Sequence, residues 1–152
     1  MYERILVPVD GSETSNLGLT EAIKLAKLTG AKLLLLNAVD HAAVTVAPEA
    51  AAGLAQLFEA MHDAGEAILA RAKADATKAG VPAETSLLDT LEGRVSDLVV
   101  TQAAKWRADL IVIGTHGRRG VGRLLIGSDA EQIVRTSPVP VLMVRGAAEK
   151  KR

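Results

Sequence analysis

The fold class of this chain is decided by the stretch Ile5-Leu6-Val7-Pro8-Val9-Asp10-Gly11-Ser12. Its first five residues form a continuous apolar run, which is typical of a strand that is buried on both faces of a sheet. The Asp-Gly pair predicts a turn, and the hydroxyl group of Ser12 can cap a following helix. A buried strand that leads through a turn into a helix indicates an α/β protein.

The rest of the chain repeats this alternation of short apolar runs and longer amphipathic segments. Strands are predicted at residues 5–9, 32–39, 83–88, 110–113 and 139–144, and helices at residues 12–30, 54–79, 93–106 and from residue 128 onward. Residues 40–53 are rich in alanine and unpatterned, which indicates a loop. The order βαβαβαβαβ predicts an open, mostly parallel sheet with helices on both faces, a Rossmann-like α/β fold. Such sheets bind ligands at the carboxyl ends of their strands, near the point where the strand order reverses.

Two of the predicted helices carry more detailed expectations. The second helix has apolar residues at helical spacing that we expect to face the core: Leu54, Leu57, Phe58, Met61, Ile68 and Ala72. The fourth helix opens with Ser128-Asp129-Ala130-Glu131. This pattern matches a capping box, with Ser128 at the N-cap and Glu131 at the third helical position.

The composition is that of a globular protein and excludes several classes of function. Hydrophobic residues make up 49% of the 152 residues and charged residues 24%. Lys plus Arg and Asp plus Glu each number 18, which argues against a nucleic-acid or membrane-surface binder. The absence of cysteine excludes disulfides, thiolate catalysis and cysteine-ligated metals. His41 and His62 are separated by a predicted loop and helix, so we expect no metal site there.

The organisation of the chain is that of a single domain. Residues 5–9 are too few for the apolar core of a signal peptide, and no stretch approaches the roughly 20 apolar residues of a membrane span. We therefore expect a soluble, cytoplasmic protein with one domain over residues 1–145. The charged tail at residues 146–152 is expected to fray.

The most informative segment is the glycine-rich loop at residues 114–127, which follows a strand and leads into a helix. It contains three cations, Arg118, Arg119 and Arg123, and no acidic residue. Glycines let backbone amides approach an anion, and the helix that follows offers free N–H groups and a positive dipole end. We expect this loop to bind phosphate. It is not a P-loop, because the chain contains no Gly-Lys pair, and its glycines do not match the dinucleotide fingerprint.

The spacing of the glycines resembles the ATP-binding subgroup of the universal stress protein family. The subgroup's pattern is Gly-x2-Gly-x9-Gly-Ser/Thr, and Gly114, Gly117, Gly127 and Ser128 fill it. The resemblance extends from the opening stretch to the closing stretch Ser137-Pro138-Val139-Pro140-Val141-Leu142-Met143-Val144. It implies a single open five-stranded parallel sheet of the adenine nucleotide alpha hydrolase-like type, and usually a homodimer.

The resemblance also implies a role for individual residues toward ATP, ADP or AMP. Pro8, Val9 and Asp10 would lie beside the adenosine and the metal side of the ligand, and Ala38 and Val39 would meet the adenine through backbone groups. Gly114 and Gly117 would admit the ribose and phosphates, which the amides around Gly127, Ser128 and Asp129 would hold. Mg²⁺ or Mn²⁺ is the expected companion ion, since it screens polyphosphate charge.

Simpler structural interpretations exist for several of these residues. Asp10 can be a turn-former before Gly11, although its place at the end of a strand favours a site role. His116 can point into solvent or touch a phosphate. Ser128 and Glu131 are explained by the capping box without any ligand, and the loop as a whole can be a surface loop.

The last predicted strand has a functional interpretation of its own. Pro138 and Pro140 cannot donate ladder hydrogen bonds, which suits an edge strand. An apolar edge at residues 141–144 favours pairing with a second copy of the chain.

Three functions remain open at this point: a nucleotide-binding regulatory module in stress response with an unidentified protein partner, a slow ATPase or autophosphorylating protein, and a dimeric scaffold without nucleotide. Only His116, Asp10 or Asp129 could orient water for hydrolysis, so the sequence favours binding over catalysis.

Overall fold

A computed structural model describes residues 1–44, 47–115 and 127–146 of the chain. Its strands are β1 (Arg4–Pro8), β2 (Lys32–Asp40), β3 (Ala83–Thr90), β4 (Leu110–Gly114) and β5 (Val141–Val144). Its helices are α1 (Glu13–Thr29), α2 (Leu54–Lys78), α3 (Val95–Trp106) and α4 (Ser128–Thr136). The predicted order of strands and helices is confirmed. The stretch predicted as a loop at residues 40–53 also contains two short 3₁₀ helices, His41–Ala43 and Pro48–Gly53.

The five strands form one open sheet in the order β3-β2-β1-β4-β5, and every pairing is parallel. The chain moves outward from β1 to β3, then crosses back and continues through β4 to β5 at the other edge. The strand order therefore reverses between β1 and β4. In an open parallel sheet, this reversal opens a crevice at the carboxyl ends of the two strands.

Both faces of the sheet are covered by helices, which explains the continuous apolar strands. Ile5 and Val7 of β1 face the layer that contains α1 and α2. Leu6, between them, faces the layer that contains α3 and α4. Because successive side chains of a strand point to opposite faces, a strand buried on both sides must be apolar at every position. The predicted α/β fold with helices on both faces is confirmed.

Helix α1 begins and ends as its sequence predicts. The Ser12 hydroxyl oxygen accepts a hydrogen bond from the Ser15 backbone N–H at 3.2 Å, which is an N-cap. At the other end, Gly30 has a φ of 77° and its N–H donates to the Ala26 carbonyl. Glycine adopts this left-handed conformation at little cost, so it closes the helix.

The predicted core stripe of α2 is wrong at Leu57, and Leu54, Phe58 and Met61 are only half-buried. Leu57 is 42% exposed, and the fully buried residues of the helix begin only at Gly65. A helix of 25 residues is about 37 Å long, whereas the nine residues of β2 span about 30 Å. The helix is therefore longer than the strand by about 7 Å, roughly five residues, so its first turn extends past the carboxyl ends of the strands, where less sheet surface is left to bury apolar residues.

None of the helices in the described part of the chain is long and apolar enough to cross a membrane.

Candidate functional site

The turn after β1 is organised by Asp10. Its backbone N–H donates to the Ser15 hydroxyl oxygen at 3.1 Å, and its carboxylate accepts from the Ser12 N–H at 2.8 Å. Just before it, the Val9 N–H donates to the Leu36 carbonyl of β2 at 2.8 Å. The turn-forming role of Asp10 is therefore present in the structure. The same hydrogen bonds fix Pro8, Val9 and Asp10 at the carboxyl end of β1, beside the reversal of strand order.

Gly114 ends β4, and its packing explains why it is a glycine. A Cβ atom at this position would overlap the backbone carbonyl of Thr14 and lie 3.0 Å from the Ser15 nitrogen. The first turn of α1 therefore rests directly on the backbone of β4. Because Ser15 also accepts the hydrogen bond from Asp10, the ends of β1 and β4 meet around this residue. The family resemblance implied a role for Gly114 toward ribose and phosphate, and did not indicate this packing role.

Thr115 joins the two ends of the glycine-rich loop. Its N–H donates to the Val144 carbonyl at 3.0 Å, and its carbonyl accepts from the Gly127 N–H at 2.9 Å. Thr115 is 2% exposed, and its hydroxyl oxygen has no hydrogen-bond partner in the described part of the chain. Sequence reasoning passed over this residue, because it stands at a variable position of the glycine pattern. Four predicted site residues, His116, Gly117, Arg118 and Arg119, lie outside the described residues, as does Arg123.

Helix α4 starts one residue later than the capping-box pattern requires. Gly127, with a φ of −55° and a ψ of 146°, is the N-cap, and Ser128 is the first helical residue. The predicted capping box is therefore wrong, and the Glu131 carboxylate instead pairs with Arg135 at 2.9 Å. The hydrogen bond from Gly127 to Thr115 accounts for this difference, since it fixes where the helix begins.

The first turn of α4 is left without a side-chain cap. Glycine has no side chain to offer, and within the described part of the chain no side-chain hydrogen bond caps this helix. Ser128 and Asp129 are exposed, so the N-terminus is open to a ligand. Uncapped N–H groups and the positive end of the helix dipole stabilise an anion by about 0.3 to 2 kcal/mol.

The carboxyl end of β2 is tied to β1 and covered by α2. Ala38 is half-buried and Val39 is 5% exposed. Beside them, the side-chain amide of buried Asn37 donates to the Val9 carbonyl at 2.7 Å. A Cβ atom on Gly65 of α2 would lie 2.6 Å from the Asn37 side-chain oxygen, so the helix backbone contacts Asn37 directly. Asn37 and Gly65 were not identified from the sequence, because a buried amide inside an apolar run leaves no periodic signal.

Two histidines that the sequence separates come together on one carboxylate. His41, which is 8% exposed, approaches Asp89 with its Nε2 atom at 2.8 Å from Oδ1. The Nδ1 atom of His62 lies 3.4 Å from the other oxygen of Asp89. The ring of Phe58 packs on His41 with 4.2 Å between centroids. Within residues 1–44, 47–115 and 127–146, no group of three or more acidic or histidine side chains is arranged to hold a metal ion.

Buried polar atoms without a partner are concentrated at this edge of the sheet. Among the described residues they are His41 Nδ1 after β2, Ser96 Oγ in the first turn of α3, and Thr115 Oγ1 after β4. An unsatisfied buried polar group costs roughly 1–3 kcal/mol. Unpaired polar groups at the carboxyl ends of parallel strands indicate a polar binding site at this edge.

Comparison with known proteins gives a consistent result over the whole chain. The model of the Universal stress protein family matches residues 1–145. A universal stress protein of Methanocaldococcus jannaschii is 35% identical over 146 residues, which cover 95% of this chain and 83% of that relative.

Solved structures agree with the sequence comparison. Universal stress protein UspA from Lactobacillus plantarum superposes with a TM-score of 0.82 at 25% identity, over 95% of this chain and 98% of that one. A universal stress protein solved in complex with cAMP is 28% identical, with a TM-score of 0.65 over 95% and 97% of the two chains.

Proposed function

The chain belongs to the universal stress protein family, and on that premise we propose that it binds an adenine nucleotide, ATP or its products ADP and AMP. The nucleotide lies across the carboxyl ends of β2, β1 and β4, and its occupancy regulates an unidentified protein partner in a stress response. The observation that carries this proposal is the uncapped first turn of α4 beside the reversal of strand order.

The phosphate half of the site is supported by backbone geometry. The Gly127 N–H is tied to Thr115, which sets the amides around Ser128 and Asp129 at the rim of the crevice. Backbone N–H groups at a helix N-terminus are a common phosphate site. Gly117, His116, Arg118 and Arg119 complete this half of the site in the proposal. The two arginines supply positive charge toward phosphate.

The adenosine half is supported by the ends of β1 and β2. Ala38 and Val39 meet the adenine through backbone groups, and Pro8, Val9 and Asp10 lie beside the ribose and a bound Mg²⁺ or Mn²⁺. The cAMP complex of the 28% identical relative supports an adenine nucleotide as the class of ligand. A carboxylate such as that of Asp10 is an oxygen ligand suited to these cations.

The proposal includes a cytoplasmic homodimer that pairs through β5. This strand is an edge of the sheet, and Leu142 on β5 and Val134 on α4 are 38% and 46% exposed. An exposed apolar edge strand is protected when it pairs with a second copy. Light scattering at micromolar concentration is expected to give twice the mass of one chain. A monomeric mass would contradict this part of the proposal.

The nucleotide site is tested by calorimetric titration with ATP and Mg²⁺, after removal of any nucleotide that co-purifies. We expect saturation near one ATP per chain. Absence of binding by the folded protein would overturn the proposal and favour the scaffold function. Turnover assays on the saturated protein then separate a regulatory module from a slow ATPase.

The phosphate assignment is tested with two matched glycine N-caps. Gly127→Val should abolish ATP binding, because a branched side chain covers the amides of α4, while its φ of −55° remains accessible to valine. Gly53→Val is the control, since Gly53 is the N-cap of α2 and its Cβ would have no neighbour within 4 Å. Equal ATP affinity in both variants would refute the assignment.

Replacing Arg118 and Arg119 by serine should weaken the binding of ATP more than the binding of adenosine.

A further inference from the structure

His41, Asp89 and His62 form a cluster, here called the histidine clasp, that joins three elements of the fold. His41 follows the carboxyl end of β2, Asp89 lies in β3, and His62 lies in the N-terminal half of α2. The distances from the Asp89 oxygens are 2.8 Å to His41 Nε2 and 3.4 Å to His62 Nδ1. The clasp therefore connects the helix to two adjacent strand ends through one carboxylate.

The clasp is placed where α2 has little else to hold it. The first turn of α2 extends past the strands, and the helix contains no fully buried residue before Gly65. His62 precedes Gly65 by three residues, so both lie on the same side of the helix. Gly65 contacts Asn37, and Asn37 donates to the Val9 carbonyl, next to Asp10. A chain of direct contacts from Gly65 through Asn37 to Val9 thus connects α2 to the end of β1.

The two histidines of the clasp respond differently to a proton. His41 donates from Nε2 to the Asp89 carboxylate, so its Nδ1 carries a lone pair in the neutral ring. A second proton would sit on Nδ1, which is buried without a partner among the described residues. His62 is 45% exposed, and its Nε2 lies 4.0 Å from the Glu66 carboxylate. A proton on His62 adds an attraction to both Asp89 and Glu66.

Two carboxylates lie close to His62. They are Asp89 from β3, 3.4 Å from Nδ1, and Glu66 from α2, 4.0 Å from Nε2. The Asp40 carboxylate at the end of β2 accepts from the Ala42 N–H at 3.0 Å. The uncharged ring of Phe58 packs on His41. Both carboxylates near His62 are acidic, so a proton on His62 would be attracted to both and would tighten the clasp.

We propose that the histidine clasp is a proton-linked anchor for α2, which raises the affinity of the adenosine site when His62 takes up a proton. The inference rests on the proposed function, because it assigns regulation to the same site. Holding α2 against the strand ends pre-organises Asn37, Val9 and the end of β2, and pre-organisation lowers the cost of binding.

The test uses adenosine as the probe, because adenosine carries no phosphate that titrates near neutral pH. In the unmodified protein we expect adenosine to bind roughly two- to fivefold more tightly at about pH 5.5 than at about pH 8, the contribution of a half-exposed ion pair. His62→Gln retains an amide donor for Asp89 but cannot take up a proton, so its affinity should be independent of pH. Glu59→Gln, which removes an exposed charge from the same helix, is the matched control and should keep the pH dependence of the unmodified protein.

A flat profile in the unmodified protein, or the same slope in His62→Gln, would overturn the proposal. A second measurement needs no nucleotide: hydrogen-exchange protection of residues 54–64, corrected for the intrinsic effect of pH. Protection should rise on acidification in the unmodified protein and not in His62→Gln, and unchanged protection would equally overturn the anchor. If ATP and adenosine fail to bind at any pH while protection behaves as expected, the proposed function fails and the anchor of α2 stands.

Discussion

The two ends of the sheet differ in how completely their polar groups are paired. At the amino end, the Asp109 carboxylate accepts from the backbone N–H groups of Glu3 and Arg4 at 2.8 and 3.1 Å. Arg4 donates to the Trp106 carbonyl at 2.7 Å, and its guanidinium lies 4.2 Å from the centre of the Trp106 ring. The carboxyl end carries the buried unpaired atoms of His41, Ser96 and Thr115.

The difference separates an end whose polar groups pair with each other from the end that carries the candidate site. A second contact at the amino end joins Lys32 to Glu84 at 3.2 Å, and the Trp106 indole N–H donates to the same carboxylate at 3.2 Å. Polar groups that satisfy each other gain nothing from a ligand. A ligand can supply a partner to an unpaired polar group at the carboxyl end, and the new hydrogen bond then removes the free-energy cost of leaving that group unsatisfied.

The largest expected effect tests whether Gly114 serves packing or only a ligand. Gly114→Ala places a Cβ atom on the Thr14 carbonyl, so α1 must move away from β4. We expect the free energy of unfolding, measured with urea, to fall by roughly 3 kcal/mol. Gly53→Ala is the control and should change it by less than about 0.5 kcal/mol, since nothing lies near its Cβ. Equal stability of the two variants would contradict the packing role.

The next effect tests the amino end alone. Asp109→Ala removes the acceptor for two backbone N–H groups and should lower the free energy of unfolding by about 2 kcal/mol. ATP affinity should not change, because this residue lies at the opposite end of the strands. Asp75→Ala, at an exposed position of α2, controls for the loss of charge. A large loss of ATP affinity in the folded Asp109→Ala variant would contradict the view that the amino end contributes to stability and not to ATP binding.

A smaller effect tests the carboxyl end. Thr115→Val replaces an unpaired buried hydroxyl by a methyl group of similar size, so the stability of the free protein should not fall. ATP affinity, measured by calorimetry, should fall about fivefold if the hydroxyl bonds to the ligand. Thr85→Val on the exposed side of β3 provides the matched substitution. A loss of stability without a loss of affinity would indicate that Thr115 belongs to the core and not to the site.

The smallest effect concerns acid stability at the amino end. Hydrogen bonds from Lys32 and then Trp106 hold the pKa of Glu84 below its ordinary value of 4.5. A carboxyl group with a lowered pKa contributes stability above its unfolded value and loses it as the pH falls through the folded value. Between neutral pH and about pH 3, the free energy of unfolding of the unmodified protein should fall by at most about 0.5 kcal/mol more than that of Glu84→Gln, because the ion pair between Lys32 and Glu84 is exposed. Urea unfolding at both pH values measures this difference. An equal loss of stability in the two proteins would show that the contact does not stabilise the fold.

Local features of this protein were predictable from local sequence. The Ser12 cap, the Gly30 end of α1 and the buried strand at Leu110–Gly114 each depend on residues that are close in the chain. The same method failed at α4, where the Ser128 capping box is absent because Gly127 is held by Thr115. It also failed for Leu57, since helical spacing does not report where the sheet ends.

Parts of the candidate site were predictable because glycine and turn residues leave a pattern. The positions of Asp10, Val39 and Gly127 at strand and helix ends follow from the order of elements. The contacts of Thr115, Asn37 and the histidine clasp were not predictable. His41 and Asp89 are 48 residues apart, and no local spacing relates them.

The sequence by itself determined the architecture of this protein, because apolar periodicity and turn residues specify strands, helices and their order. It also placed the candidate site, because parallel strands bring their carboxyl ends together. Only the tertiary structure decided which polar groups are satisfied, because a hydrogen bond depends on distances between residues remote in the chain. For that reason, the buried atoms of His41, Ser96 and Thr115 that lack a partner among the described residues are recognised only in the folded molecule.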